Sequence, residues 1–250
     1  MKKPIYQELQ KQKEAGKKMI AMLIDPDKVD YARLNADLQI ANQARVDLIL
    51  IGGSLLTDGD LNRAIEEVKS FSKIPVILFP GSTSQISEKA DGILFLSLLS
   101  SRNAEMIIGQ QVTAAPYLRK TNLEIISTAY LLIDSGKQTT ASYMSNSNPI
   151  PANKPEIAAS TALAGTYLGM DVIYLDGGSG AKNPVPSDMI SKVKEYTNQL
   201  LFIGGGVNSI EKAETAFHAG ADIVVVGNAV ENDNSFLIEL GVVKKRMNSK

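Results

Sequence analysis

The chain contains no cysteine, which removes disulfides, thiolate nucleophiles and thiolate metal sites from the chemistry open to it. It has one histidine, His218, two residues before Gly220 in a helical stretch remote from any strand end. With no partner for acid–base work, that residue reads as structural or surface. A charge excess is also missing: 26 lysines and arginines face 27 aspartates and glutamates. No global field would then hold the chain on nucleic acid or an anionic membrane, and an anionic ligand must be gripped locally. Long apolar runs are absent as well. Residues 1–18 are polar and charged, without the roughly 7–15 apolar residues of a secretory leader, and residues 93–99 fall far short of the roughly 20 that span a bilayer. The expectation is a soluble, cytoplasmic protein that meets membrane at most peripherally.

What is present is enough apolar material for a core, 44% of 250 residues, and hence one large domain over residues 1–250. Eight short, β-rich apolar runs recur at residues 19–24, 48–52, 76–79, 92–96, 124–129, 172–175, 200–203 and 223–226. They lack clean polar alternation, as strands covered on both faces do. Helix signals lie between them: Asp58 and Asp60 open 61–71, Asn153 precedes 154–168, and Ser209 opens 210–219, with Gly169 and Gly220 where helices should stop. Asp27 and Asp30 read as caps for the helix after the first strand. The third unit has only residues 82–90 before the next strand, room for a loop or a single turn. The fifth loop, 134–153, is rich in Ser, Thr, Asn and Gly and reads as a mobile flap. Repeated βα units of this number and length predict an α/β fold, a (β/α)8 TIM barrel, with an open doubly wound sheet as the alternative.

In a barrel the chemistry lies just after the strands. Glycines cluster after the last three: Gly177, Gly178 and Gly180 after the sixth, Gly204, Gly205 and Gly206 after the seventh, Gly227 after the eighth. Glycine lets backbone N–H groups approach an anion, and the helix starting near Ser209 adds the positive end of its dipole. One such cluster is ordinary turn chemistry; three in succession predict a phosphate cradle built of backbone. At roughly 1.5–3 kcal/mol per hydrogen bond to a charged group, four or five donors suffice without a lysine. The first strand ends in Asp25-Pro26-Asp27-Lys28 and the second in Gly52-Gly53-Ser54. Asp25 and Ser54 offer hard oxygens that suit Mg2+, or else an Asx turn and a cap. Lys28 reads as a solvated charge. Asp176 is the best-placed base, or else a turn-former.

These motifs, with Phe79-Pro80-Gly81 after the third strand, resemble in order and spacing the geranylgeranylglyceryl phosphate synthase family, nearest to the group that includes the heptaprenylglyceryl phosphate synthases. The resemblance implies an Mg2+-dependent prenyltransferase. It would join sn-glycerol 1-phosphate to an isoprenoid diphosphate, geranylgeranyl diphosphate in the family's name, giving an ether lipid precursor and diphosphate. It also implies metal binding by Asp25 and Ser54, catalysis involving Asp25 and Asp176, and a homo-oligomer. Glycerol phosphate would be bound by Tyr174, Leu175, Asp176, Gly177, Gly178, Ser179, Gly180, Gly205, Gly206, Gly227 and Asn228. The sixth-strand acid is commonly glutamate in that family, whereas here it is Asp176. A prenyl tail needs an apolar groove, which Phe79, Leu96, Leu98 and Tyr130 could line if they are not ordinary core. Two other readings share the cradle: a sugar phosphate isomerase or lyase using Asp25 and Asp176 as its acid–base pair, and a phosphate-binding barrel without catalysis.

Overall fold

Side chains at alternate positions of a strand face opposite layers, and in this chain both layers are apolar. The computed structural model describes residues 3–227 and 234–249. Its strands are β1 (Met19–Ile24), β2 (Leu48–Ile51), β3 (Val76–Leu78), β4 (Gly92–Leu98), β5 (Glu124–Leu132), β6 (Val172–Asp176), β7 (Leu200–Gly204) and β8 (Ile223–Val226). They pair in sequence order, all parallel, and β8 returns to β1 through Met19↔Ile223 and the pairs that follow it, so the sheet is a closed barrel. This excludes the open sheet. The predicted strands are all present; β4 and β5 run on to Leu98 and Leu132, because their ladder continues from Gly92↔Glu124 to Leu98↔Tyr130.

Inside the barrel Ala21, Leu48, Leu50, Ile77, Leu94, Ile126, Val172, Tyr174, Leu200, Phe202 and Val225 form one cluster. The alternate residues, among them Ile20, Ile49, Ile173, Leu175, Leu201 and Ile203, pack outward against the helices. The helices are α1 (Pro4–Glu14), α2 (Leu34–Gln43), α3 (Leu61–Phe71), α4 (Gln110–Leu118), α5 (Thr140–Met144), α6 (Pro155–Tyr167), α7 (Ser187–Tyr196), α8 (Ile210–Ala219) and α9 (Asn234–Asn248). Asp60 caps α3 by accepting from the Arg63 N–H at 2.9 Å, and Ser209 caps α8 through Lys212. Asn153 does not cap α6, which starts from Lys154 with Pro155 at its first position. Asp27 does not cap α2 either. Its carboxylate accepts from the Thr57 and Gly59 N–H groups at 2.9 and 2.6 Å and so ties the β2–α3 loop to the end of β1. Asp30 holds the turn before α2 through the Ala32 N–H. Among the described residues no helix is long and apolar enough to cross a membrane.

The third unit has no helix, only a 3-10 turn at Thr83–Gln85. Gln85, 2% exposed, spans the β2 and β3 ends: it accepts from the Gly53 and Gly81 N–H groups and donates to the Gly53 carbonyl at 2.8 Å. The two loops touch so closely that a Cβ on Gly81 would lie 2.4 Å from the Gly53 carbonyl oxygen, and glycine is required there. The segment read as a flap is built in: Thr139 and Ser142 form a capping box for α5, and Ile150 bridges to Ile133.

The other end of the barrel is closed by α1, which gave no clear signal in the sequence. Leu9 is buried in the interior cluster. The Glu124 carboxylate, 5% exposed, accepts from the Ile5 and Tyr6 N–H groups at 2.8 and 2.7 Å, satisfying donors that a helix start leaves free. Glu124→Ala strands both donors and is expected to lower stability by about 1–3 kcal/mol, read as a lower urea midpoint with an unchanged m-value.

Candidate active site

A cleft of about 550 Å³ opens at the carboxyl ends of the strands. Its floor is a layer of rings. Phe79 stacks on Tyr174 with centroids 5.1 Å apart, Tyr174 stacks on Phe202 at 5.7 Å, and Tyr130 meets Phe79 and Tyr174 edge-on at 5.8 and 5.5 Å. Above it sits Asp176, 6% exposed. The Tyr130 hydroxyl donates to its Oδ2 at 2.6 Å and the Gly178 N–H to its Oδ1 at 2.8 Å. Burial raises the Asp176 pKa above the ordinary carboxylate value, against the pull of those two donors. Burial, reinforced by the negative charge of Asp176, pushes the Tyr130 and Tyr174 hydroxyls well above theirs, so both stay protonated at neutral pH. Asp176 has room only because Gly205 (φ 78°) has no side chain; a Cβ there would fall 2.7 Å from Oδ1.

The lining falls into three arms, named by the strand ends that supply them. The first is the glycine arm, where Gly178, Ser179, Gly180, Gly205, Gly206 and Gly227 line the cleft. Two of the seven residues from Tyr174 to Gly180 turn away from it. The Leu175 side chain packs in the outer layer, as strand alternation dictates, and the Gly177 N–H is spent on the Gly204 carbonyl at 3.0 Å. The Gly178 N–H serves Asp176. The N–H groups of Ser179, Gly180, Gly205, Gly206 and Gly227 find no acceptor among the described residues. Asn228 lies outside the described residues. Lys137 was missed by sequence reading, because the chain approaches the cradle from a different loop; its Nζ lies 3.7 Å from where a Cβ on Gly180 would sit.

The second arm is polar and lies at the ends of β1 and β2. Asp25 makes the Asx turn, Oδ1 accepting from the Asp27 N–H at 3.2 Å, and lines the cleft as well. Its Oδ2 lies 3.1 Å from Lys28 Nζ, so Lys28 is not merely solvated. Ser54 lines the same arm. Among the described residues no group of three or more His, Asp or Glu side chains could hold a metal. One carboxylate and one hydroxyl therefore fit Mg2+ that takes its other positions from water and a substrate phosphate, and do not fit a metal held by protein alone.

The third arm is apolar, lined by Phe79, Leu96, Leu98, Tyr130, Met106 and Met144. All four expected groove residues are here, joined by Met106 from a π-helical turn at Glu105–Gly109 and Met144 from α5. His218 is exposed on α8, away from the cleft.

A closed parallel barrel with a backbone anion cradle beside a buried acid is a (β/α)8 enzyme of the kind that handles phosphorylated substrates. The chain belongs to the PcrB family, which matches residues 12–245. It is similar to geranylgeranylglyceryl phosphate synthase of Spirosoma linguale, with 48% identity over 94% of this chain and 95% of that one. It is likewise similar to the protein of that name in Korarchaeum cryptofilum, with 40% identity over 96% and 98%. Among solved structures it is similar to (S)-3-O-geranylgeranylglyceryl phosphate synthase of Thermoplasma acidophilum in complex with its substrate sn-glycerol-1-phosphate. There the TM-score is 0.90 and the identity 32%, covering 96% of this chain and 98% of that one.

Because the Tyr130 hydroxyl favours the ionised form of Asp176, Tyr130→Phe is expected to raise the Asp176 pKa further. A carbon-NMR titration of carboxyl-labelled aspartate should show the Asp176 resonance titrating at higher pH in the variant than in the wild type.

Proposed function

We propose that the protein joins the free hydroxyl of sn-glycerol 1-phosphate to the allylic carbon of an isoprenoid diphosphate, releasing diphosphate and forming a prenylglyceryl phosphate. The observation that carries this reading is that the hydrogen-bonded Tyr130–Asp176 pair lines the same cleft as the glycine, polar and apolar groups. A phosphate in the glycine arm puts its glycerol hydroxyl toward Asp176. A prenyl tail in the apolar arm, stabilised by about 0.8 kcal/mol per buried CH2, leaves its diphosphate toward Asp25 and Ser54.

The hydroxyl oxygen bonds to the allylic carbon, the carbon–diphosphate bond breaks with its electron pair leaving on oxygen, and the hydroxyl proton passes to Asp176. A carboxylate with a raised pKa is a better base than an ordinary aspartate. The half-buried ring of Phe79, which lines the cleft, suits positive charge developing on the allylic carbon. Mg2+, held by Asp25 and Ser54, would neutralise charge on the leaving diphosphate. The lining supports this part of the reading, because Asp25, Asp27 and Asp176 outnumber Lys28 while two anions would have to be held.

The reading includes self-association. The outward face of α6, with Ile157, Tyr167 and Leu168 exposed, offers apolar surface for it to cover. Sedimentation equilibrium is expected to give a mass above that of one 26.9 kDa chain.

Purified protein incubated with Mg2+, sn-glycerol 1-phosphate and prenyl diphosphates of increasing length should yield a prenylglyceryl phosphate by mass analysis. Asp176→Asn is expected to lose about 10²–10⁴ in kcat, and Asp25→Ala to lose turnover together with its response to Mg2+. Absence of product at every chain length, with sn-glycerol 1-phosphate still bound, would sink the prenyl-transfer reading.

A further inference from the structure

Lys28 is the cationic side chain that lines the β1–β2 end of the cleft, whereas the Lys137 ammonium lies at the glycine end, near Gly180. Residues 228–233, which lie outside the described set, contain no lysine or arginine. The Lys28 Nζ sits 3.1 Å from Asp25 Oδ2, and its side chain is 43% exposed. That ammonium therefore has a partner at hand and room to leave it. Asp25 cannot serve both partners at full strength: a divalent cation on its carboxylate would meet the Lys28 charge a few ångströms away. Using Oδ1 instead would leave the two cations on one carboxylate, and that oxygen already accepts the Asp27 N–H. Asp27 is the poorer ion partner for Lys28, because both of its oxygens already accept from the Thr57 and Gly59 N–H groups.

We propose that Lys28 is a second cation for the leaving diphosphate, resting on Asp25 in the free enzyme and turning to a diphosphate oxygen once a divalent cation occupies Asp25. This rests on the prenyl-transfer reading above and goes beyond it in assigning Lys28 a ligand. The ammonium keeps its protons throughout; it stabilises the charge that arrives on oxygen when the carbon–oxygen bond breaks. A compact ammonium on a flexible stem is suited to such an exchange of partners. The ion pair also gives the free site a defined resting state, since Asp25 is neutralised without a metal.

The proposal predicts opposite effects on two ligands. Calorimetry would be run on the full chain with the glycine arm saturated by sn-glycerol 1-phosphate, so that the titrant samples the β1–β2 end. The probes are Mg2+ alone, then inorganic pyrophosphate in saturating Mg2+. Lys28→Met is expected to bind Mg2+ about threefold or more tightly, because a competing cation is gone. It should bind pyrophosphate about tenfold or more weakly, because a charge-assisted hydrogen bond is lost. Lys28→Arg should recover most of the pyrophosphate affinity. With so exposed a side chain, Lys28→Met should keep the wild-type melting temperature, which would be recorded alongside. Unchanged pyrophosphate affinity in Lys28→Met, or weaker Mg2+ binding, would overturn the assignment while leaving prenyl transfer standing. If the wild type binds sn-glycerol 1-phosphate but no pyrophosphate at any Mg2+ concentration, prenyl transfer itself fails and takes the Lys28 proposal with it.

Discussion

Closure of the sheet is the constraint on which the rest depends. Once β8 pairs with β1, every strand has a neighbour on both sides, and the choice of inward or outward for one residue settles it for the whole strand. On β6 that parity sends Val172, Tyr174 and Asp176 inward and Ile173 and Leu175 outward. Parity on β5 and β7 brings Tyr130 and Phe202 to the same level, and the β3 end adds Phe79. The interior is then a stack of apolar side chains topped by rings, with a single carboxylate above them. A buried carboxylate is costly unless it is hydrogen-bonded. Tyr130 and Gly178 supply those bonds, and this makes the acid tolerable in the fold.

The electrostatics of the cleft follow from how little cationic material the barrel mouth contains. On the glycine side the lining is mostly backbone N–H groups unpaired among the described residues, which carry positive dipole ends without the desolvation cost of a buried lysine, with the Lys137 ammonium close to Gly180. On the β1–β2 side the protein offers oxygen donors and one exposed ammonium. The two ends are thus chemically unlike. An anion that needs only hydrogen bonds suits the first, and an anion that arrives with a divalent cation suits the second. The shortened third unit has a part in this. With no helix after β3, Gln85 can reach across and clamp Gly53 beside Ser54, which sets the shape of the polar arm from below.

Barrel architecture, strand positions, three glycine clusters and the abbreviated third unit were legible in the chain, because each depends on local pattern: apolar runs of strand length, turn residues after them, and spacing too short for a helix. The residues of the polar and glycine arms could be named for the same reason, since active-site groups of a barrel sit immediately after strands. Direction was not legible. Leu175 lies inside the motif and points away from the cleft, and the Gly177 N–H is consumed by β7, because strand parity and sheet pairing are set by neighbours far along the chain. Asp27 reads as a helix cap locally, yet it serves a loop 30 residues on.

What the sequence by itself determined, then, is the inventory and its order: eight strands, the acids at 25 and 176, the hydroxyl at 54, and glycines where backbone must be bare. Tertiary structure alone decided the pairings, Tyr130 with Asp176, Lys28 with Asp25, Gln85 with Gly53, and Met106 and Met144 with the expected groove residues. The physical reason is that a side chain's partner and its burial depend on distances across the barrel. Those distances exist only after closure has brought together strands separated by tens to hundreds of residues.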